Sequence, residues 1–144
     1  MTTEMPKPEV KTMLVCRNVI QDRYTGTFVL IGPTHEVSAP QYPATFDLSI
    51  FLDVTSVRGS YLLAVQLRDI SGNELSRFHM TQPMVCHDPL KVGSVGMLHY
   101  AFVFPEPGKY EIAVFANGEE IAAVVFWAYQ QPSPMGPPTE FTGS

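Results

Sequence analysis

The residues best equipped for chemistry are Cys86-His87-Asp88, with Cys16 and the histidines His35, His79 and His99 elsewhere in the chain. A thiol, an imidazole and a carboxylate are the parts of a nucleophilic site. Adjacent residues on an extended chain point to opposite sides, so contiguity alone builds no triad. A base must stand beside the nucleophile in space, with donors for the oxyanion. Nothing in the spacing supplies these, and the reading is a loop thiol beside a solvated imidazole, with no catalytic residue and no enzyme.

Structural zinc sites draw on closely spaced ligand pairs. The four histidines and two cysteines here are irregularly spaced, and only His79 and His99, on separate expected strands, offer a weak pairing. Asp47 and Asp53 share the wet face of one expected strand, about 20 Å apart at the usual rise per residue. That is too far for paired acid–base work on a glycosidic bond. Asp69 and Asp88 read as solubilising groups. Gly93-Ser94-Val95-Gly96 lacks the following lysine and helix of a phosphate loop. No metal and no cofactor are expected.

The elements that would position any site are strands. The chain has 144 residues, 45% hydrophobic and 16% charged, with 13 Pro and 10 Gly. This is the size of one domain with a real core, divided by many turns. Phe46, Leu48, Ile50, Leu52 and Val54 alternate with Thr45, Asp47, Ser49 and Asp53, the period-two pattern of a half-buried strand. Phe51 breaks it on the wet side. Tyr61, Leu63, Val65 and Leu67 repeat the pattern, as do Leu98, Tyr100, Phe102 and Phe104, and then Tyr110, Ile112 and Val114. Asn117-Gly118 between two apolar runs is a hairpin signal, because both residues tolerate the positive φ of a type I′ turn. Residues 80–95 read as a loop crossing between sheets.

No segment keeps helical periodicity. About eight strands separated by turns point to an all-β fold, an antiparallel two-sheet sandwich of the immunoglobulin or fibronectin kind with 7–9 strands. Residues 1–11 read as a flexible arm, 12–130 as the sandwich and 131–144 as a Pro-rich tail. In Pro107-Gly108-Lys109-Tyr110 the tyrosine is placed for a tyrosine corner. An antibody-type core is not expected, since Trp127 lies on the last strand and neither cysteine lies on the Tyr110 strand.

The stretches Leu67-Arg68-Asp69-Ile70-Ser71-Gly72-Asn73-Glu74-Leu75 and Pro105-Glu106-Pro107-Gly108-Lys109-Tyr110-Glu111-Ile112-Ala113-Val114-Phe115-Ala116-Asn117-Gly118-Glu119 carry a family resemblance. With Leu14-Val15-Cys16-Arg17-Asn18-Val19, Leu30-Ile31-Gly32 and residues 40–43, they resemble the DUF6941-like group of small uncharacterised bacterial proteins, over most of residues 14–125. The resemblance implies a bacterial source and an immunoglobulin-like sandwich. It transfers no active site.

Net charge is −5 and the basic residues are scattered singly. A nucleic-acid binder needs a basic stripe to displace counterions, so neither nucleic acid nor an anionic membrane is an expected partner. Residues 1–11 lack the apolar stretch of a signal peptide, and no apolar run reaches the roughly 20 residues that span a bilayer. A cytoplasmic setting is the expectation, with Cys16 and Cys86 as free thiols; a disulfide would require export.

Both faces of the last strand are apolar. If Tyr110, Ile112 and Val114 face the core, Phe115 faces out, and with Phe51, Ala122, Val124 and Phe126 it forms an expected interface. Two accounts of this face stand: cover by the arm or tail, or contact with a second copy or a protein partner. The function read from the sequence is a non-enzymatic interaction or structural module. The alternative is a small-ligand or carbohydrate-binding sandwich using end loops.

Overall fold

The structure is a computed structural model that describes residues 7–55, 59–80, 83–86 and 93–132, with backbone alone at Cys86 and residues 96–99. Strand alternation accounts for nearly all of it. The strands are β1 (Glu9–Gln21), β2 (Phe28–Pro33), β3 (Glu36–Ala39), β4 (Ala44–Thr55), β5 (Gly59–Tyr61), β6 (Leu63–Asp69), β7 (Glu74–His79), β8 (Met84–Cys86), β9 (Gly93–Phe104), β10 (Gly108–Ala116) and β11 (Glu119–Gln130). One sheet runs β2-β1-β4-β9 and the other β3-β11-β10-β6-β7, with β5 and β8 as a separate pair. Pairing is antiparallel except between β3 and β11, which run parallel.

The inward faces are those the alternation predicts. Leu48, Ile50, Leu52 and Val54 of β4 meet Leu63, Val65 and Leu67 of β6 and Tyr110, Ile112 and Val114 of β10 in one buried cluster. Burying each such side chain contributes roughly 1.5–3 kcal/mol. Aromatic rings bind the two sheets: Phe104 stacks on Phe126 at 5.8 Å and meets Tyr110 edge-on at 5.1 Å. Phe78 stacks on Tyr100 at 4.9 Å. The Tyr110 hydroxyl donates to the Glu106 carbonyl and accepts from the Glu106 N–H. This is the tyrosine corner, which fixes the turn entering β10.

The hairpin between β10 and β11 turns on Asn117 at φ 50° and Gly118 at φ 84°, the conformation that Asn-Gly favours. The register then shifts between Val114 and Phe115. Phe115 pairs with Glu120 and Val114 with Ala122, so Ile121 is the extra residue of a β-bulge. An unbroken register would set Tyr110 opposite Val125. The bulge sets it opposite Phe126 instead, and a one-residue slip exchanges the two faces of everything downstream.

Phe51 is explained by a second, smaller cluster. It lies on the face of β4 opposite Ile50 and Leu52, where Cys16, Val19, Phe28 and Leu30 enclose it. Phe28 meets its ring edge-on at 5.6 Å. Side chains of the neighbouring β1 and β2 thus shield Phe51 on the outer side of the first sheet.

Two details differ from the sequence expectation. Eleven strands stand among the described residues rather than 7–9, because the turn at Gly59-Ser60 and the loop at residues 84–86 pair as β5 and β8. The first strand begins at Glu9, within the expected arm. The flanking residues 1–6 and 133–144 lie outside the described residues.

Candidate interaction surface

Among the described residues, those singled out for chemistry are not brought together. The side chains of Cys86, His87, Asp88 and His99 lie outside the described residues. His35 and His79 are exposed, and among the described residues no group of three or more His, Cys, Asp or Glu is placed to hold a metal. Cys16 is fully buried, and burial pushes its thiol pKa up, the opposite of an activated nucleophile. Asp53 accepts a hydrogen bond from Ser94 Oγ at 2.6 Å, while Asp47 is exposed. Asp69 is occupied by its own turn: its carboxylate accepts the backbone N–H of Asn73 and of Ser71, each at 2.9 Å. The Asn73 hydrogen bond, chiefly, holds that carboxyl below its usual range.

The five residues expected to form an interface do not share an open face. Phe126 is 0% exposed in the main core, against Phe104. Val124 packs against the same core, and Ala122, opposite Val114, is half-buried. Phe51 fills the second cluster. Phe115 does face outward, but Arg77 lies over its ring at 4.6 Å. The bulge at Ile121 is the physical reason for the exchange on β11.

The outward residues of β11 are therefore Ala123, Val125, Trp127 and Tyr129. Val125, Trp127 and Tyr129 are 40%, 37% and 45% exposed. Trp127 and Tyr129 stack at 6.0 Å with planes 12° apart, and Lys109 Nζ lies 6.0 Å from the Trp127 ring. The alternation was legible in the sequence; only the bulge hid which half of it faces water.

Apart from Phe115 beneath Arg77, the rest of this sheet face carries a polar network. Arg68 Nη1 donates to Glu120 at 2.6 Å and Arg68 Nε to Glu111 at 3.2 Å. Gln66 donates to Glu74 at 2.9 Å, and Arg77 to the same carboxylate at 2.6 Å. The Arg68 hydrogen bond holds Glu120 below its usual pKa, and the Gln66 and Arg77 hydrogen bonds do the same for Glu74. The outer face thus divides into a polar network over β10, β6 and β7 and an apolar strip on β11.

The edge of β11 is also open. β10 pairs along residues 119–128, but on the other side β3 pairs only with residues 127–130. Over 119–126 no strand among the described residues pairs with that edge. Lys7 reaches Glu119 at 3.7 Å at its start. Below it, a slot of about 170 Å³ separates β11 from β1, lined by Met13, Leu14, Val15 and Val124 among others. A second apolar strip, Ile20, Val29 and Ile31, lies exposed on the β1–β2 hairpin.

These features define the class: an all-β two-sheet sandwich with a tyrosine corner and no assembled catalytic or metal centre among its described residues. Residues 11–127 match DUF6941, a family of unknown function, and the chain belongs to that family. No curated protein matches it. Among solved structures, it is similar to the alkylpurine DNA glycosylase AlkC of Pseudomonas fluorescens bound to DNA containing an abasic site analog, at 11% identity and a TM-score of 0.49. That match covers 85% of this chain, which spans only 30% of the glycosylase. It is also similar to an immunoglobulin-like protein from Pseudomonas aeruginosa at 15% identity and a TM-score of 0.43, over 88% of this chain and 100% of that one. Among the described residues, no helix is long and apolar enough to cross a membrane.

Proposed function

We propose that the protein is a non-enzymatic interaction module that pairs with a second copy of itself through β11. One observation carries this reading: among the described residues, the same strand has an edge that no strand pairs over residues 119–126, and it exposes Val125, Trp127 and Tyr129 in alternation. An open edge offers backbone hydrogen bonds to another strand. Exposed aromatics are the side chains that most often dominate interface energetics.

A second copy fits this edge for three reasons. A two-fold axis sets β11 antiparallel to its own copy, giving the same patch on both partners. Ala122 and Ala123 lie at the middle of the open stretch, where small side chains permit close approach. Glu119 and Glu120 are already paired with Lys7 and Arg68, so closure leaves no unpartnered carboxylate there. The exposed strip on the β1–β2 hairpin is a weaker site, because β2 is short and ends in Gly32-Pro33, which blunts a strand edge.

Absence of catalysis is part of the proposal, supported by the buried, protonated state favoured for Cys16. A cytoplasmic setting is supported by Cys16 as a buried free thiol, and a bacterial source by the resemblance of the chain's motifs.

Sedimentation equilibrium on the full chain tests the function. The expected result is a reversible dimer that Val125→Glu or Trp127→Ala weakens by at least about tenfold, given the weight of aromatic anchors, with melting temperature little changed. A wild-type chain that stays monomeric at millimolar concentration, or a dimer indifferent to both substitutions, contradicts it.

A further inference from the structure

A cleft of about 310 Å³ lies where β2 hands the chain to β3, lined by Arg17, Thr34, Glu36, Val37, Ser38 and Tyr129. Its volume is at the low end of small-ligand sites, about 300–1,000 Å³. Arg17 is held in place from two sides. Gly32 sits at φ +62°, and a Cβ there would stand 2.8 Å from Arg17 Cγ, so only glycine lets the arginine stem lie across β2. The guanidinium carbon is 5.9 Å from the centre of the Phe46 ring, within reach of a cation–π contact. Yet among the described residues Arg17 has no ion-pair partner, although Arg68 and Arg77 both do. Glu36, in the same cleft, is exposed and likewise outside every described ion pair.

The backbone of β3 adds to the cleft. His35 and Ala39 turn their carbonyls to β11, accepting from Trp127 N at 3.0 Å and Gln131 N at 2.8 Å. By alternation, Glu36 and Ser38 turn theirs away. Thr34 Oγ1 satisfies Glu36 locally, donating to its carbonyl at 2.8 Å and accepting from its N–H at 3.2 Å. Ser38 is left with a backbone donor and acceptor on the edge of the sheet that no described strand covers. Tyr129, whose ring stacks on Trp127, also lines the cleft.

We propose that this cleft binds a neutral saccharide. Neighbouring sugar hydroxyls both donate and accept, which matches a lining of both kinds: the Arg17 fork and Ser38 N–H donate, while Glu36 and Ser38 C=O accept. Tyr129 offers a π-face to the C–H-rich side of a sugar ring. A lone phosphate or carboxylate meets the Glu36 carboxylate and a chain of net charge −5. A purely apolar ligand would leave the Arg17 and Glu36 charges desolvated without partners.

The test is an array of neutral, sulfated and sialylated glycans probed with the full chain, followed by titration calorimetry with the best neutral hit and with inorganic phosphate. Arg17→Ala, Arg17→Lys and Glu36→Ala lie off the β11 strip, so their dimerisation, read in parallel, separates this proposal from the one above. The expected result is binding of a neutral glycan, weakened about tenfold or more by Arg17→Ala and by Glu36→Ala, as for loss of a charge-assisted hydrogen bond. Arg17→Lys restores little, because an ammonium lacks the fork. Binding of phosphate or of anionic glycans alone, no glycan binding, or binding indifferent to Arg17→Ala in a folded variant overturns it.

Discussion

Phe126 is sealed between the sheets against Phe104, and neither sheet can collapse far enough to refill its place. Phe126→Ala is expected to cost about 3–5 kcal/mol of stability, measured by urea unfolding; a cost below about 1 kcal/mol would mean the side chain is not in the core. The sequence puts Phe126 outside because the Asn117-Gly118 turn, read with an unbroken register, sends it there. Ile121, the bulged residue, carries no marker of its own: it is one apolar residue in a run that is apolar on both faces. By contrast, Tyr110 was legible, since Pro-Gly two residues before a strand tyrosine specifies the corner geometry. The service of Gly32 to Arg17 was not legible, because it depends on a close approach between neighbouring strands that only three-dimensional pairing creates.

Among the elements, β4, β6 and β10 were readable because large apolar residues recur at every second position, although Phe51, Ala64 and Ala113 are buried on the outer side as well. The strands β5 and β8 were not, since three residues cannot show a period. The outer face of β10, β6 and β7 was invisible for a different reason: Gln66, Arg68, Glu74, Arg77, Glu111 and Glu120 meet across strand pairings rather than along the sequence. That network sets an acid sensitivity. Glu120 and Glu74 are held below their usual pKa in the folded chain, so the unfolded chain binds protons more readily. Their stabilisation is present above the ordinary carboxylate pKa of about 4.3 and is lost as pH falls through their lower folded values. Thermal melting between neutral pH and pH 3 is expected to show falling stability, with a shallower slope in Glu120→Gln. An unchanged slope would mean the Arg68 pairs are solvated and contribute nothing, as many exposed pairs do.

For the molecule as a whole, the two sheets close a single main core, and among the described residues the free edge of β11, the aromatic strip beside it and the cleft at β3 stay open, as does the second exposed strip on the β1–β2 hairpin. An apolar outer strip on that strand was legible from the sequence as an excess of apolar residues. Which residues compose it was not, because composition does not count bulges. The central claim is that the edge of β11 closes on another β11. Trp127 N–H points to β3, so by alternation the N–H groups of Ala123 and Val125 point out from the open edge, free in a monomer and hydrogen-bonded in the proposed pair. Residue-resolved amide hydrogen exchange at increasing protein concentration reads this directly. Protection at Ala123 and Val125 is expected to rise with concentration while the buried core amides of β6 stay constant. Exchange at those two amides that does not depend on concentration would contradict the account.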